Sequence, residues 1–555
     1  MTSKVDVVVV GGGHNGLVAA AYLARAGLST LVVEARHKVG GASTTEVPWP
    51  EAPELRVSRL SYVMSLMPSS IIEELDLRRH GYRVHPMGPY YQAYADGGSI
   101  RIYDDPVRTY ESVARWSRRD ADMLARWYAW FAGLAAVVGP LLSTVPPKLG
   151  SHRPTDVADT LRLAWRHKGL DVRTVADVTR LLSMSVADLL DDWFESPQVK
   201  GALALNGVIG TWAGPCEPGT AYVMADQSIG DVGDGHLGSW GFPEGGMGAV
   251  ATAIERSAVA AGARVRTSAP VEQVLVRDGT VAAVVLRGGE EIEAAAVVSS
   301  VHPRIAFLEH VGAGHLPDDF VGDIRRWKNR SGVVKINLAV AELPDFTADP
   351  GTHLQDHHTG SIGMAPTVEY IERAFQEARE GRPSQAPFSD GVIPTTLDRS
   401  LAPEGTHIVS LFTQWVPASW CEEPHREELE AYADRIIDLY DQVAPNFKAS
   451  IRHRDVLGPY DLEHEYGLVG GNIFHGELSL DQLFHLRPAP GYSDYRTPIR
   501  GLYYASSATH PAGGVSGIPG RHAAHALLAD RRRRARSRLG RAAPRWPTRN
   551  AGGHA

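Results

Sequence analysis

The chain has 555 residues, 43% hydrophobic and 22% charged, which excludes a wholly disordered chain and leaves room for several domain-sized units. Its formal charge is −8, but nine arginines and no acid follow Asp530, so the body before them carries −17, and such a body argues against a nucleic-acid binder. Two cysteines, Cys216 and Cys421, cannot make a Cys-x-x-Cys pair, and no Cys/His cluster has metal spacing, so neither a redox dithiol nor a metal site is expected.

The stretch from Val5 to Glu34 organises the rest. Val5 to Val10 is a β-branched run that reads as a strand buried on both faces of a parallel sheet. Gly11-Gly12-Gly13-His14-Asn15-Gly16 follows. Gly11 allows a tight turn, Gly13 lets a pyrophosphate approach bare backbone, and Gly16 lets the next helix pack closely on the strand. The N–H groups and positive dipole end of that helix then face the phosphates. Leu31 to Glu34 reads as the second strand, and Glu34 lies 21 residues after Gly13. An acid at an offset of ~20 residues accepts a hydrogen bond from a ribose hydroxyl. These parts in this order predict a bound adenine dinucleotide. The glycines alone do not separate NAD from FAD, while the acid disfavours NADP.

The first strand starts within four residues, so no signal peptide or presequence is expected, and the expected location is the cytoplasm, with peripheral contact at a membrane surface as an addition. After Glu34, Ala35 leads to Gly40-Gly41-Ala42, a second glycine pair foreign to an ordinary NAD fingerprint, which lets another loop lie against the dinucleotide. Residues 75–240 read as a separate module with amphipathic helical stretches at Arg108 to Ala136 and Asp177 to Phe194. Within it, Trp127 to Val145 is an uncharged run of 19 residues broken by Gly133, Gly139 and Pro140. It is expected to be a buried or pocket-lining helix, with a surface dipping into a bilayer as the alternative. Asp231 to Gly235 resembles a loose metal loop, but the Glu of a calcium loop is missing.

Pro243 to Gly248 precedes a helix from Ala249 to about Ala261. Strands at Arg264 to Thr267, Val271 to Arg277, Val281 to Arg287 and Glu291 to Ser300 follow, with Asp278-Gly279 and Gly288-Gly289 as hairpin turns, and make a β-meander with a return strand. Residues 304–490 form a second mixed region, with strands at Val333 to Ala339 and Thr406 to Gln414, a helix at Glu427 to Val443 and a surface loop at Ala378 to Pro387. In Gly470 to Arg487, the polar groups Gln482, His485 and Arg487 are either core staples or groups facing a ligand. Gly501 to Gly520 reads as strand, glycine-rich loop and helix N-terminus, with the helix from about Arg521 to Leu528. Glycine turns at both ends of the chain suggest one extended ligand gripped from two sides. The tail after Asp530 is expected to be disordered.

These motifs resemble the FAD-dependent phytoene desaturase and amine oxidase superfamily. The matching pieces are Gly11 to Gly16, Glu34, Gly40-Gly41, Pro243 to Gly248 and Tyr503 to Gly520. Thr509-His510-Pro511 with Gly513-Gly514-Val515-x-Gly517 is similar to the carotenoid desaturase branch. The amine oxidase branch usually carries a Gly-Glu pair where this chain has Ser506-Ser507, and an Arg where it has Ala42. Within the desaturase branch, Gly470 to Arg487 resembles the group called pyridine nucleotide-disulphide oxidoreductase domain-containing protein 2. The resemblance implies an α/β fold: a discontinuous Rossmann-like FAD domain of glutathione reductase type (1–74, 243–303 and 495–530) with an inserted mixed α+β substrate domain (75–242 and 304–494) and a tail at 531–555. It implies FAD contacts at Gly11, Gly13, His14, Asn15, Gly16, Glu34, Ala35, Gly40, Gly41, Ala42 and Val271. It adds Gly513, Gly514, Val515, Gly517 and Gly520 at the flavin's pyrimidine edge, where a helix N-terminus stabilises the reduced ring.

The expected activity is an FAD-dependent dehydrogenase or desaturase of an apolar organic substrate, with oxygen or a quinone as acceptor and His510 as the candidate acid/base. An amine oxidase, for which Tyr503-Tyr504 would supply an aromatic cage, is the second reading. A flavoprotein that acts through partners without turnover is the third, and a redox-neutral isomerase is a variant of the first.

Overall fold

The structure, a computed structural model, describes residues 3–230, 232 and 238–542. Two seven-stranded sheets dominate it. The first grows around Ser3–Val10, which pairs in parallel with Thr30–Val33 on one side and with Glu291–Ser299 on the other. Arg264–Arg266 extends the first edge in parallel, and the meander strands Thr280–Leu286 and Val271–Arg277 extend the other in antiparallel fashion. Leu502–Tyr504, from the far end of the chain, pairs with residues 297–299. One sheet therefore draws on three distant stretches. Side chains alternate across it. Val7 and Val9 face helices His14–Arg25, Met247–Ala260 and Ile518–Ala542, while Val8 and Val10 face a layer containing Phe307, Phe320 and Ile324.

The second sheet has the order Ile451–Leu457, Val333–Val340, His407–Gln414, Phe388–Val392, Ser361–Met364, Tyr90–Ala93, Ser99–Ile102. Val333–Val340 is buried at every position, yet its two faces differ. Val334, Ile336, Leu338 and Val340 pack with Leu429, Tyr432, Ile436 and Tyr440 of helix Arg426–Val443, whose helical spacing puts them on one stripe. Val333, Lys335 and Asn337 point the other way. Arg59 clamps the two sheets' surroundings together through ion pairs to Glu46, Asp455 and Glu465.

Three expectations change. Helix Ile518–Ala542 starts three residues before the expected Arg521 and runs through the first part of the tail expected to be disordered. Arg and Ala are strong helix formers, and Ala523, Ala524 and Leu527 already anchor the helix in the core, so propagation needs no new nucleus. Residues 543–555 lie outside the described residues, as do Asp231 and Asp234 of the rejected calcium loop. Trp127 to Val145 is not a wholly buried helix. Its residues 127–142 belong to helix Arg118–Leu142, which buries Trp127, Leu134 and Val138 but exposes Tyr128 and Ala132, and none of the helix's residues lines the protein's main cavity. By length and composition it is the one helix among the described residues apolar enough to cross a membrane. The loop expected from Ala378 starts later, because Ala378 and Arg379 end helix Val368–Arg379.

Candidate functional site

Strand Ser3–Val10 delivers the chain to the turn where the site begins. Gly11 has φ +95°, and a β-carbon on it would lie 2.6 Å from Ser300 Oγ. A β-carbon on Gly16 would lie 2.1 Å from the Gly11 carbonyl oxygen, so the glycine lets helix His14–Arg25 sit against the strand end. Gly13 is different: nothing lies within 4 Å of where its β-carbon would be, and it caps a helix that no side chain caps. The space beyond it is the main cavity, of about 760 Å³. Gly11, Gly13, His14 and Asn15 line this cavity, with Glu34, Ala35, Gly40, Gly41, Ala42 and Val271. Glu34 is buried. Its carboxylate accepts from the Gly12 N–H at 2.6 Å and the Arg36 N–H at 2.8 Å, so the acid is anchored to the turn with lone pairs left for a ribose. The second glycine pair lies against the first, as the Gly40 N–H donates to the Gly12 carbonyl at 2.8 Å.

The C-terminal turn reaches the same cavity through Gly514 and Val515. The other residues expected there do not line it. Gly513 and Gly16 lie behind the wall, where a β-carbon on Gly513 would strike the Phe474 ring at 2.0 Å. Gly517, with φ +70°, packs on Val18, and a β-carbon on Gly520 would lie 2.1 Å from the Asn15 carbonyl oxygen. These two glycines seat one helix on another. His510, the acid/base candidate, is also off the cavity: its Nε2 lies 3.0 Å from the Leu141 carbonyl oxygen, and burial pushes its pKa down to about 4. Tyr503 and Tyr504 form no cage. Their hydroxyls donate to Asp530 Oδ2 and to the Val301 carbonyl, and neither lines the cavity.

Buried polar atoms without a protein partner test whether a dinucleotide fits. His14 Nε2, Asn15 Oδ1 and His302 Nε2 belong to cavity-lining residues and are such atoms. Burial holds His14 near a pKa of about 4 and His475 near about 3, and drives His302 well below the usual imidazole range, so all three are neutral. Neutral donors and acceptors, an uncapped helix start, bare glycine backbone and an anchored acid together fit an extended nucleotide.

The far wall comes from the second sheet, and sequence reading missed its main feature. Val333, Lys335 and Phe412 line the cavity there, with Lys335 and Phe412 directly opposite each other across the strand pair. Lys335 is 2% exposed. Its ammonium donates to Asn337 Oδ1 at 2.9 Å and to Ser410 Oγ, and lies over the Tyr62 ring. Burial pushes its pKa down to about 7, against the pull of Asp455 and Asp390. Tyr62 stacks on Phe412 and donates to Asp390 Oδ2 at 2.6 Å. The segment holding Tyr62 also carries Leu66, which abuts Gly514, and so connects the two walls. A lone charge in Val333–Val340 was the available signal.

Of the polar groups of Gly470 to Arg487, Gln482 and Arg487 prove to be staples. Arg487 is fully buried and donates to the carbonyls of Phe474, Gly476, Glu477, Gln482 and Ser507. Gln482 bonds the Lys328 backbone at both its amide ends, and neither it nor His485 lines the cavity. This lattice holds His475, whose Nδ1 lies 2.8 Å from Ser506 Oγ, on the cavity wall.

Comparisons with known proteins bear on the fold and the cofactor. A family model described as "NAD(P)-binding Rossmann-like domain" matches residues 9–72, and one described as "Flavin containing amine oxidoreductase" matches residues 210–520. The chain is 39% identical to pyridine nucleotide-disulfide oxidoreductase domain-containing protein 2 of Rattus norvegicus, over 95% of this chain and 93% of that protein. It is 25% identical to a limonene dehydrogenase polypeptide of Castellaniella defragrans, over 95% of this chain and 94% of that protein. A solved putrescine oxidase variant superposes with a TM-score of 0.60 at 17% identity, covering 96% of this chain and 100% of that one, which reflects the fold.

Proposed function

The chain belongs to the flavin-containing amine oxidoreductase family, and from that premise we propose that it is an FAD-dependent dehydrogenase or desaturase of an apolar organic substrate. When bound, FAD supplies the two-electron chemistry, accepting a hydride from a substrate C–H bond. The chain's own residues hold and shape the reactants. Gly11, Gly13 and the start of helix His14–Arg25 would take the pyrophosphate, and Glu34 the ribose. Ala35, Gly40, Gly41, Ala42 and Val271 would flank the nucleotide, while Gly514 and Val515 would meet the flavin end.

The observation that carries the substrate class is the second-sheet wall. Val333 and Phe412 of the sheet, with Leu60, Ile209 and Phe474 packed beside them, make it apolar, and among the described residues Lys335 is the one titratable side chain the second sheet itself sends to it. An apolar molecule held there is desolvated and oriented by contact. Lys335 in its neutral form would take a proton as the substrate loses its hydride, a role that suits a cavity-lining group and not His510, which lies off the cavity. The relative named as a limonene dehydrogenase supports a hydrocarbon-like substrate. Oxygen or a quinone would reoxidise the cofactor.

The test is anaerobic titration of the purified yellow protein with carotenoid, fatty-acyl and amine candidates. Bleaching of the flavin band by an apolar candidate is the expected result. Bleaching by amines alone would replace this reading with the amine oxidase one, and bleaching by none would favour a flavoprotein without turnover.

A further inference from the structure

We propose that helices Pro154–Arg166 and Val172–Ser183, with the outer face of Arg118–Leu142, dock the protein on an anionic lipid bilayer. The inference rests on the surface alone and does not need the substrate reading above.

Exposed large apolar side chains are normal when scattered. Here they are concentrated in one stretch of the chain: among the described residues, eight of the thirteen lie between positions 128 and 175. Helix Pro154–Arg166 buries no residue at all. Val157, Leu161 and Trp165 recur at four-residue spacing on its outer side, with Leu161 63% and Trp165 68% exposed. Val172 is 88% exposed at the start of the next helix. Helix Val172–Ser183 is tied to Arg118–Leu142 by the Trp130 indole N–H, which donates to Asp177 Oδ2 at 3.1 Å. The outward positions of Arg118–Leu142 from Tyr128 to Pro140 carry no charge.

Charge selects the occupant. Between residues 148 and 180 stand seven Lys or Arg and four Asp, in a chain whose body is strongly acidic; Lys148, Arg162 and Arg180 pair with Asp494, Asp159 and Asp177, and Arg153, Arg166, Lys168 and Arg173 are the remaining cations. Basic residues interleaved with an apolar stripe fit an interface between anionic headgroups and acyl chains, where long basic side chains reach the headgroups while Leu and Trp enter below them. Lys168 Nζ lies 4.4 Å from the Trp165 ring centroid, which places a cation beside the indole. A second copy packed face to face through the same patch would set positive charge against positive charge.

Flotation of the full-length, flavin-loaded protein tests this. With phosphatidylcholine vesicles containing phosphatidylglycerol the protein should rise with the lipid, and with pure phosphatidylcholine it should rise at least ~10-fold less. The double variant Leu161→Ser/Trp165→Ser alters only exposed side chains, so its flavin spectrum and melting temperature should stay unchanged while lipid partitioning falls by ~10-fold or more. Val107→Ser, an exposed apolar position elsewhere, should float like the unchanged protein. The proposal is overturned if the protein stays with the unbound fraction at anionic vesicles, or if the double variant floats as well as its parent. It is also overturned if the parent sediments as an oligomer that the double variant dissolves, since the face then belongs to a second copy.

Discussion

Gly13 separates cofactor binding from folding, and a Gly13→Glu substitution exploits that. The residue caps helix His14–Arg25 at φ −69° and ψ 169°, an extended conformation open to any side chain. Nothing within 4 Å opposes a β-carbon there, so the longer side chain enters the cavity without forcing the backbone. Its carboxylate then stands where a pyrophosphate would lie. Two like charges ~5 Å apart at an effective dielectric of ~20 repel by ~3 kcal/mol, which weakens binding by roughly two orders of magnitude. Gly13→Ala, which adds bulk without charge, separates the electrostatic part from the steric part. The assay is the ratio of flavin to protein absorbance after purification, followed by reconstitution with added FAD and a thermal melt of each form. The glutamate variant should be colourless, with the melting temperature of the cofactor-free parent, and should lack the parent's rise in melting temperature on adding FAD. A variant that purified fully yellow would refute the placement of the phosphates. A variant that failed to fold would refute the claim that the space beyond Gly13 is open.

Other outcomes follow from the same geometry. Lys335 loses its proton near pH 7 in the folded chain but near ~10.4 when unfolded, so its contribution to stability rises with pH between those values. Lys335→Met should abolish that rise in a melting series and remove the increase in flavin-reduction rate through pH ~7; a variant that kept both would exclude Lys335 as the base. Arg487→Met strands five buried carbonyls at ~1–3 kcal/mol each before relaxation, so the soluble yield and melting temperature should fall sharply, and a neutral effect in thermal unfolding would contradict the staple. Gly520→Ala drives a β-carbon into the Asn15 carbonyl, so it should cost ~1–3 kcal/mol in denaturant titration and lower flavin content with it, unlike Gly13→Glu, which spares the fold.

The first nucleotide turn was legible because its parts are local. Strand, glycines, helix and acid fall within thirty residues, and each has a conformational reason visible in the residue type. The C-terminal turn was only half legible. Gly514 meets the cavity, but Gly517 and Gly520 look identical in sequence and serve helix packing, since a glycine does not reveal what approaches it. Lys335 went unread because a strand of eight buried positions looked apolar as a whole, and only the pairing that sets it opposite Phe412 shows which side it faces. His510 and Tyr503-Tyr504 were misplaced for the same reason: proximity in sequence to a glycine loop does not place a side chain on the cavity side of it. The tail was judged on composition, which reports solvation but not continuity with a helix already nucleated.

The strand Leu502–Tyr504 slots beside residues 297–299, two hundred positions back along the polypeptide. During synthesis, the nucleotide fold therefore stays one strand and one helix short until almost the whole message has been read. The early glycine turn leaves the ribosome long before its counterpart exists, so the complete cradle can form only late in synthesis. A nascent product cut short anywhere before that strand would carry the most recognisable motif of the family and still be unable to close around its coenzyme.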